Sequence, residues 1–221
     1  MHLDLPQLVV SLVIIILSGV LHEYMHGYVA YKLGDPTAYL EGRLTLNPIA
    51  HLSLFSSVIF PVTLFILSQG RFIFGGAKPV PINPYYFKNP SKDLMLSAAA
   101  GPLTNIVIAI VFAFIYGLVS HKLADNTLDR YILFYIIVIN MILGAFNLIP
   151  IPPLDGSRIL RYFLPQKGKE ILDSIEPFGL FIIIMLFATG FLDIFLRPLF
   201  YIINELVTIS GGIASRIVPF E

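Results

Sequence analysis

Residues 5–31 read LPQLVVSLVIIILSGVLHEYMHGYVAY, and this stretch decides both the class of the chain and the place of its chemistry. Residues 5–21 carry no charge, and residues 27–31 continue the apolar run beyond a short polar motif. Pro6 suits the first turn of a helix, and nothing breaks the pattern before Gly34, Asp35 and Pro36. Inside the run stands His22-Glu23-Tyr24-Met25-His26. Two imidazoles at i and i+4 share one helix face and can grip a zinc ion, and the Glu between them can act as general base on its water. A carboxylate at membrane depth costs roughly 2.5–3.5 kcal/mol on insertion scales, so an idle one is not expected there.

Composition sets the class. Of 221 residues, 57% are hydrophobic and 13% charged, against about 25% charged in soluble domains. The mean hydropathy is +0.83. Further uncharged stretches cover residues 44–70, 94–120, 131–154 and 177–192, and each supplies all or most of a spanning helix. The expected fold is an all-α integral membrane protein: a polytopic helical bundle of about five to six membrane segments with a re-entrant, partly extended β-like segment. One membrane domain is expected to account for residues 1–221, with polar stretches such as 32–43 and 155–176 as loops. A basic region ahead of the first run is missing, so that run reads as a retained helix and not a cleaved signal. Cysteine is absent, which leaves His, Asp and Glu as metal ligands. Net charge is zero with no basic cluster, so nucleic-acid binding has no support.

Along the chain, Gly42-Arg43-Leu44-Thr45-Leu46-Asn47-Pro48 suggests a short strand by its alternation. Residues 52–68 dip into the bilayer or cross it. Residues 75–84 contain Pro79, Pro81 and Pro84 and cannot be helical. An extended segment of this kind offers an edge to which an unwound peptide could add as a strand. Residues 92–116 and 131–148 read as helices, the second broken by Pro150, Pro152 and Pro153 immediately before Leu154-Asp155-Gly156. If residues 52–68 are re-entrant, most Lys and Arg residues fall on one side and only Lys122 and Arg130 on the other. That distribution places the end of the first helix, and hence the His-Glu-His site, toward the cytoplasm.

The His-Glu-His pattern has a chance frequency of about 0.003 per chain at this composition. A catalytic zinc site needs a third protein ligand and leaves a fourth position open. Asp155 is the first candidate, because it follows a broken helix at membrane depth, where irregular backbone lines a cavity or is buried in protein. It could equally cap a short helix running to Leu164, with Gly156 easing a tight turn, and both roles can coexist. Glu176, Asp193 and Glu205 are competing acids. Asn105 and Asn147 could hold a substrate backbone or a developing oxyanion, or could simply hydrogen-bond between helices. His51 reads more readily as a loop or interfacial residue than as a participant.

The chain resembles the site-2 protease family of intramembrane zinc metalloproteases, in its compact prokaryotic branch. The resemblance rests on His22-Glu-Tyr-Met-His26-Gly27, on Asn147-Leu-Ile-Pro150-Ile-Pro-Pro-Leu154-Asp155-Gly156, and on Ala100-Gly101-Pro102-Leu103-Thr104-Asn105. Residues 42–48 and 77–84 are similar to further blocks of that branch, and together these cover most of residues 18–158. The resemblance implies Zn2+ held by His22, His26 and Asp155, with Glu23 as catalytic acid/base. It implies peptide hydrolysis within or near transmembrane segments of other membrane proteins, in the prokaryotic cytoplasmic membrane. The implied partners are a transmembrane protein substrate and the lipid bilayer; the sequence names no regulatory partner. No PDZ or CBS domain is expected in the chain. Two alternatives stay open: a membrane zinc protease with a downstream Glu ligand, and a non-enzymatic protein that handles metal ions.

Overall fold

The computed structural model describes residues 5–53, 77–119, 122–123, 127–189, 197–198, 201–205 and 208. In chain order its helices are α1 (Leu5–Lys32), α2 (Thr37–Leu40), α3 (Pro90–Val119), α4 (Leu128–Asn147), α5 (Asp155–Phe163), α6 (Gln166–Ile175) and α7 (Gly179–Ala188). Short 3-10 turns occupy Pro48–His51, Pro84–Tyr86 and Glu176–Phe178. Helices α1, α3 and α4 are long and apolar enough to cross a membrane, over Val9–Lys32, Pro90–Val119 and Leu128–Asn147. The protein is therefore helical with three such spans among the described residues. Residues 54–76, on which the re-entrant expectation rests, lie outside them, as does Asp193.

Exposure on these helices is inverted relative to a soluble protein. On α3, Leu103, Val107, Val111, Phe114 and Leu118 are exposed, while Ala98, Asn105, Ala109 and Ala113 are fully buried. Small and polar residues thus face protein and large apolar ones face outward, the arrangement lipid solvation favours. Val9, Leu12, Val13, Ile15, Ile16 and Leu17 repeat the pattern on α1.

The chain divides into two compact units, residues 16–101 and residues 1–15 with 102–221. In the second of these, Ala109, Ala113, Tyr116, Ile137, Met141 and Ile203 form a core cluster. Close approach is written in glycine: a side chain on Gly144 of α4 would come within 2.9 Å of the Pro102 carbonyl oxygen on α3. Beside it, the Asn105 amide donates to the Asn140 side-chain oxygen at 2.8 Å, and the Asn140 amide donates to the Ile136 carbonyl at 2.9 Å. The Tyr131 hydroxyl, near the start of α4, donates to the Gln7 carbonyl of α1 at 3.1 Å.

In the unit of residues 16–101, α1 ends in a Schellman motif. The Asp35 N–H reaches the Ala30 carbonyl at 2.9 Å, the Gly34 N–H reaches that of Tyr31 at 3.1 Å, and Gly34 takes φ +111°. Asp35, 1% exposed, is satisfied by three donors: the Thr37 N–H and hydroxyl on one oxygen and the Asn83 N–H on the other.

Two expectations are corrected. Residues 42–48 form no strand: Gly42 has φ +65°, the N–H groups of Arg43 and Leu44 both return to the Ala38 carbonyl, and Asn47 caps the following turn. These local bonds outcompete a ladder for which no partner strand stands among the described residues. The polar stretch 155–176 is not a loop: α5 stands where the sequence allows a short helix to Leu164, α6 follows it, and the exposed Arg161–Asp173 ion pair joins them. Their apolar residues recur at helical spacing although their overall composition is polar.

Candidate metal centre

His22 and His26 sit one turn apart on α1 and are 7% and 5% exposed. Their Nε2 atoms are 3.0 Å apart, with the rings edge to face at 85°. The His26 Nδ1 lies 2.7 Å from the Ser97 carbonyl oxygen. A carbonyl only accepts, so this nitrogen carries the proton and the Nε2 lone pair is turned toward His22. Two ligands on one tetrahedral zinc, each about 2.0–2.1 Å from the ion, would lie about 3.3 Å apart. The observed separation is within a few tenths of an ångström of that value, so the pair fits such an ion. Ser97 closes a second link, its hydroxyl donating to the His26 carbonyl at 2.9 Å. Ring and backbone of His26 are thereby fixed by one residue of α3.

Gly101 forms a wall beside the pair. A Cβ there would stand 2.5 Å from the His26 Nε2 and 2.8 Å from that of His22. Only a hydrogen leaves room for both imidazoles and an ion. Gly101→Ala is expected to lower zinc affinity at least about tenfold, in the range of losses from disturbed ligand support, while helix content is kept. Zinc retained after dialysis, read beside circular dichroism in detergent, checks this; full zinc retention would contradict it.

Glu23 is half-buried. Its Oε2 accepts the Val80 N–H at 2.8 Å, and its Oε1 makes no hydrogen bond among the described residues. Asp155 is 8% exposed and is the first residue of α5, with Leu154 and not Asp155 at the N-cap. Gly156 serves close packing more than a turn, since a side chain there would meet the Leu148 carbonyl oxygen at 2.2 Å. His22 and His26 belong to the unit of residues 16–101 and Asp155 to the other. Two imidazoles and one carboxylate, with no thiolate, are a zinc donor set that leaves a fourth position open. Glu176 and Glu205 are both exposed.

Asn105 is fully buried and bonded to Asn140, while the Asn147 amide donates to the Leu143 carbonyl of its own helix at 2.9 Å. His51 is fully buried, with Nε2 on the Thr45 carbonyl at 2.8 Å, and so holds its own turn. Residues 77–83 are irregular, and the N–H groups of Lys78, Val80 and Asn83 are used within the chain. Pro79 and Pro81 have no N–H, Lys78 donates to the His51 carbonyl at 2.7 Å, and Val80 donates to Glu23. At the strand edge expected there, the N–H groups of Lys78 and Val80 are therefore already bonded. Ser97, Asn140, and the Val80 N–H had no signal in the sequence; Gly101 stood only within a quoted block.

A family model described as Peptidase family M50 matches residues 116–189, the part that contains Asp155. "Putative zinc metalloprotease YwhC" of Bacillus subtilis is 38% identical over 191 residues, covering 84% of this chain and 81% of its own. Rip2 of Mycolicibacterium smegmatis, named in the same words, is 27% identical over 95% of this chain and 80% of its own. "Zinc metalloprotease MJ0392" of Methanocaldococcus jannaschii is 27% identical over 96% of this chain, which spans about half of that protein, 51%. No solved structure matches the chain. With a relative this similar along most of both sequences, the chain belongs to peptidase family M50, the site-2 protease family, and is a membrane zinc metallopeptidase.

Proposed function

We propose that the protein hydrolyses peptide bonds within or next to transmembrane segments of other membrane proteins, in regulated intramembrane proteolysis. One observation carries the reading: Glu23 and its flanking histidines lie inside Val9–Lys32, a helix long and apolar enough to span the bilayer. A soluble substrate has no route to a site at that depth, whereas a membrane-embedded one arrives by lateral diffusion.

His22, His26 and Asp155 would hold the zinc. When bound, zinc supplies Lewis acidity that polarises the scissile carbonyl and makes water nucleophilic near neutral pH. Glu23 takes the proton of the attacking water on Oε1 while the Val80 N–H holds Oε2. The same carboxyl then delivers that proton to the leaving amine. Asn147 keeps its side-chain oxygen for the substrate main chain, and Asn105, through Asn140, keeps α3 and α4 in register. The Lys and Arg distribution supports the prokaryotic cytoplasmic membrane with the site nearer the cytoplasmic face, since Lys32 ends α1 and Arg130 begins α4.

The exposed positions of Glu176 and Glu205 disfavour a downstream Glu ligand. A carboxylate between the two histidines also has no use in an ion carrier, which needs ligands but no base. The test is product mapping. The purified protein, reconstituted with a single-span substrate, is expected to release fragments whose new ends fall inside the span, and a zinc chelator should stop their appearance. New ends confined to soluble loops would overturn the reading.

A further inference from the structure

Arg43 is 7% exposed, yet no carboxylate pairs with it among the described residues, and its Nε has no partner. A guanidinium keeps its charge at any working pH, so burial without a counter-ion is expensive unless its hydrogen bonds are put to use. Its acceptors are two consecutive carbonyls: Nη2 donates to Lys78 at 2.8 Å and to Pro79 at 3.4 Å. The Pro79 carbonyl and the Val80 N–H are opposite ends of one peptide plane, and that N–H is the donor to Glu23 at 2.8 Å. A cation therefore grips one edge of a planar unit and a carboxylate the other. Such a chain polarises along its length, each bond strengthening the next. The Lys78 N–H, held by the His51 carbonyl at 2.7 Å, fixes the neighbouring peptide. Packing completes the clamp, since the Val80 side chain fills the space over Gly27 on α1.

We propose that Arg43 is a positioning residue of the peptidase: it fixes the Pro79–Val80 peptide plane, whose N–H sets the orientation of the Glu23 carboxylate. The inference rests on Glu23 being the acid/base. It adds that the carboxylate is held from outside its own helix, by a cation twenty residues further along the chain. It also assigns a purpose to Pro79 and Pro81. With no N–H of their own, they leave Val80 as the only donor among residues 79–81. A shift of the carboxylate by about 1 Å can cost about 10²-fold in rate without weakening binding, which gives the effect its kinetic signature.

The experiment compares wild type, Arg43→Met and Arg43→Lys in detergent, all zinc-loaded, by hydrogen–deuterium exchange across residues 77–83 and by kcat and KM on a transmembrane substrate. Arg43→Met should speed Val80 amide exchange at least about tenfold and lower kcat about 10–100-fold, with KM and zinc content unchanged. Arg43→Lys should recover part of both. Wild-type exchange and kcat in Arg43→Met would overturn the proposal, and so would zinc lost in step with kcat. If Arg43→Met does not fold, Glu23→Ala and Glu23→Gln decide. Val80 protection should vanish with Ala and persist with Gln, which keeps an acceptor oxygen; protection that persists with Ala overturns it. Absence of cleavage by zinc-loaded wild type would instead count against Glu23 as acid/base, and the exchange measurements need no substrate.

Discussion

Glu23→Gln is expected to bind one zinc per chain and to lose cleavage by at least about 10²–10⁴-fold, the usual worth of general acid–base catalysis. The reason lies in which atoms the substitution changes. A glutamine oxygen can still accept the Val80 N–H at the position where Oε2 accepts it at 2.8 Å, so the side chain stays where it was. What is lost is the second oxygen, Oε1, which makes no bond among the described residues and which the mechanism gives to the attacking water. An amide nitrogen in that place donates and cannot take a proton. Neither imidazole is touched, and the Ser97 carbonyl still fixes the His26 tautomer at 2.7 Å. Zinc content should therefore match wild type while product formation falls to background in a reconstituted assay. Turnover near wild type by a zinc-loaded Glu23→Gln protein would reject the assignment of Glu23.

How far a sequence discloses such a site depends on whether the cause is local. Helix α1 was legible from end to end because three local signals agree: Pro6 at its start, an unbroken apolar run, and the Gly34-Asp35 stop. His22 and His26 were legible because an i, i+4 pair needs no tertiary information to share a face. Asp155 was visible through the prolines that end α4 before it, although its place at the first helical position instead of the N-cap was not. By contrast, Ser97 lies 71 residues from His26, and nothing in its neighbourhood distinguishes it from any helical serine. The Arg43 clamp stayed hidden for the same reason: the sequence shows a basic residue beside a glycine, and only the fold brings it to the Lys78 and Pro79 carbonyls. The strand expected at residues 42–48 failed because alternation was read without asking for a partner strand. Helix α6 was missed because polar composition was weighed above period, whereas α5 stands where the sequence allowed a short helix to Leu164.

Asp155→Ala is expected to release the zinc as well as abolish cleavage, and Glu205→Ala and Glu176→Ala to do neither. A catalytic zinc has three protein ligands; with one removed, two imidazoles and solvent must hold the ion. Disturbing only the supporting shell of a ligand costs about 10–100-fold in affinity, and loss of the ligand itself should exceed that. His22→Ala should behave like Asp155→Ala, because each removes one of the three proposed ligands. Glu205 and Glu176 are exposed, so their removal exchanges one solvated side chain for another. Zinc per chain after equilibration against a weak chelator separates the cases, with the helical signal confirming that each variant is folded. The contrast with Glu23→Gln is itself diagnostic: one class of variant is empty and inactive, the other full and inactive. An Asp155→Ala protein that kept its zinc while Glu205→Ala or Glu176→Ala lost it would move the third ligand downstream. Asp155 would then be left as the residue that opens α5, with Gly156 pressed against the Leu148 carbonyl beside it.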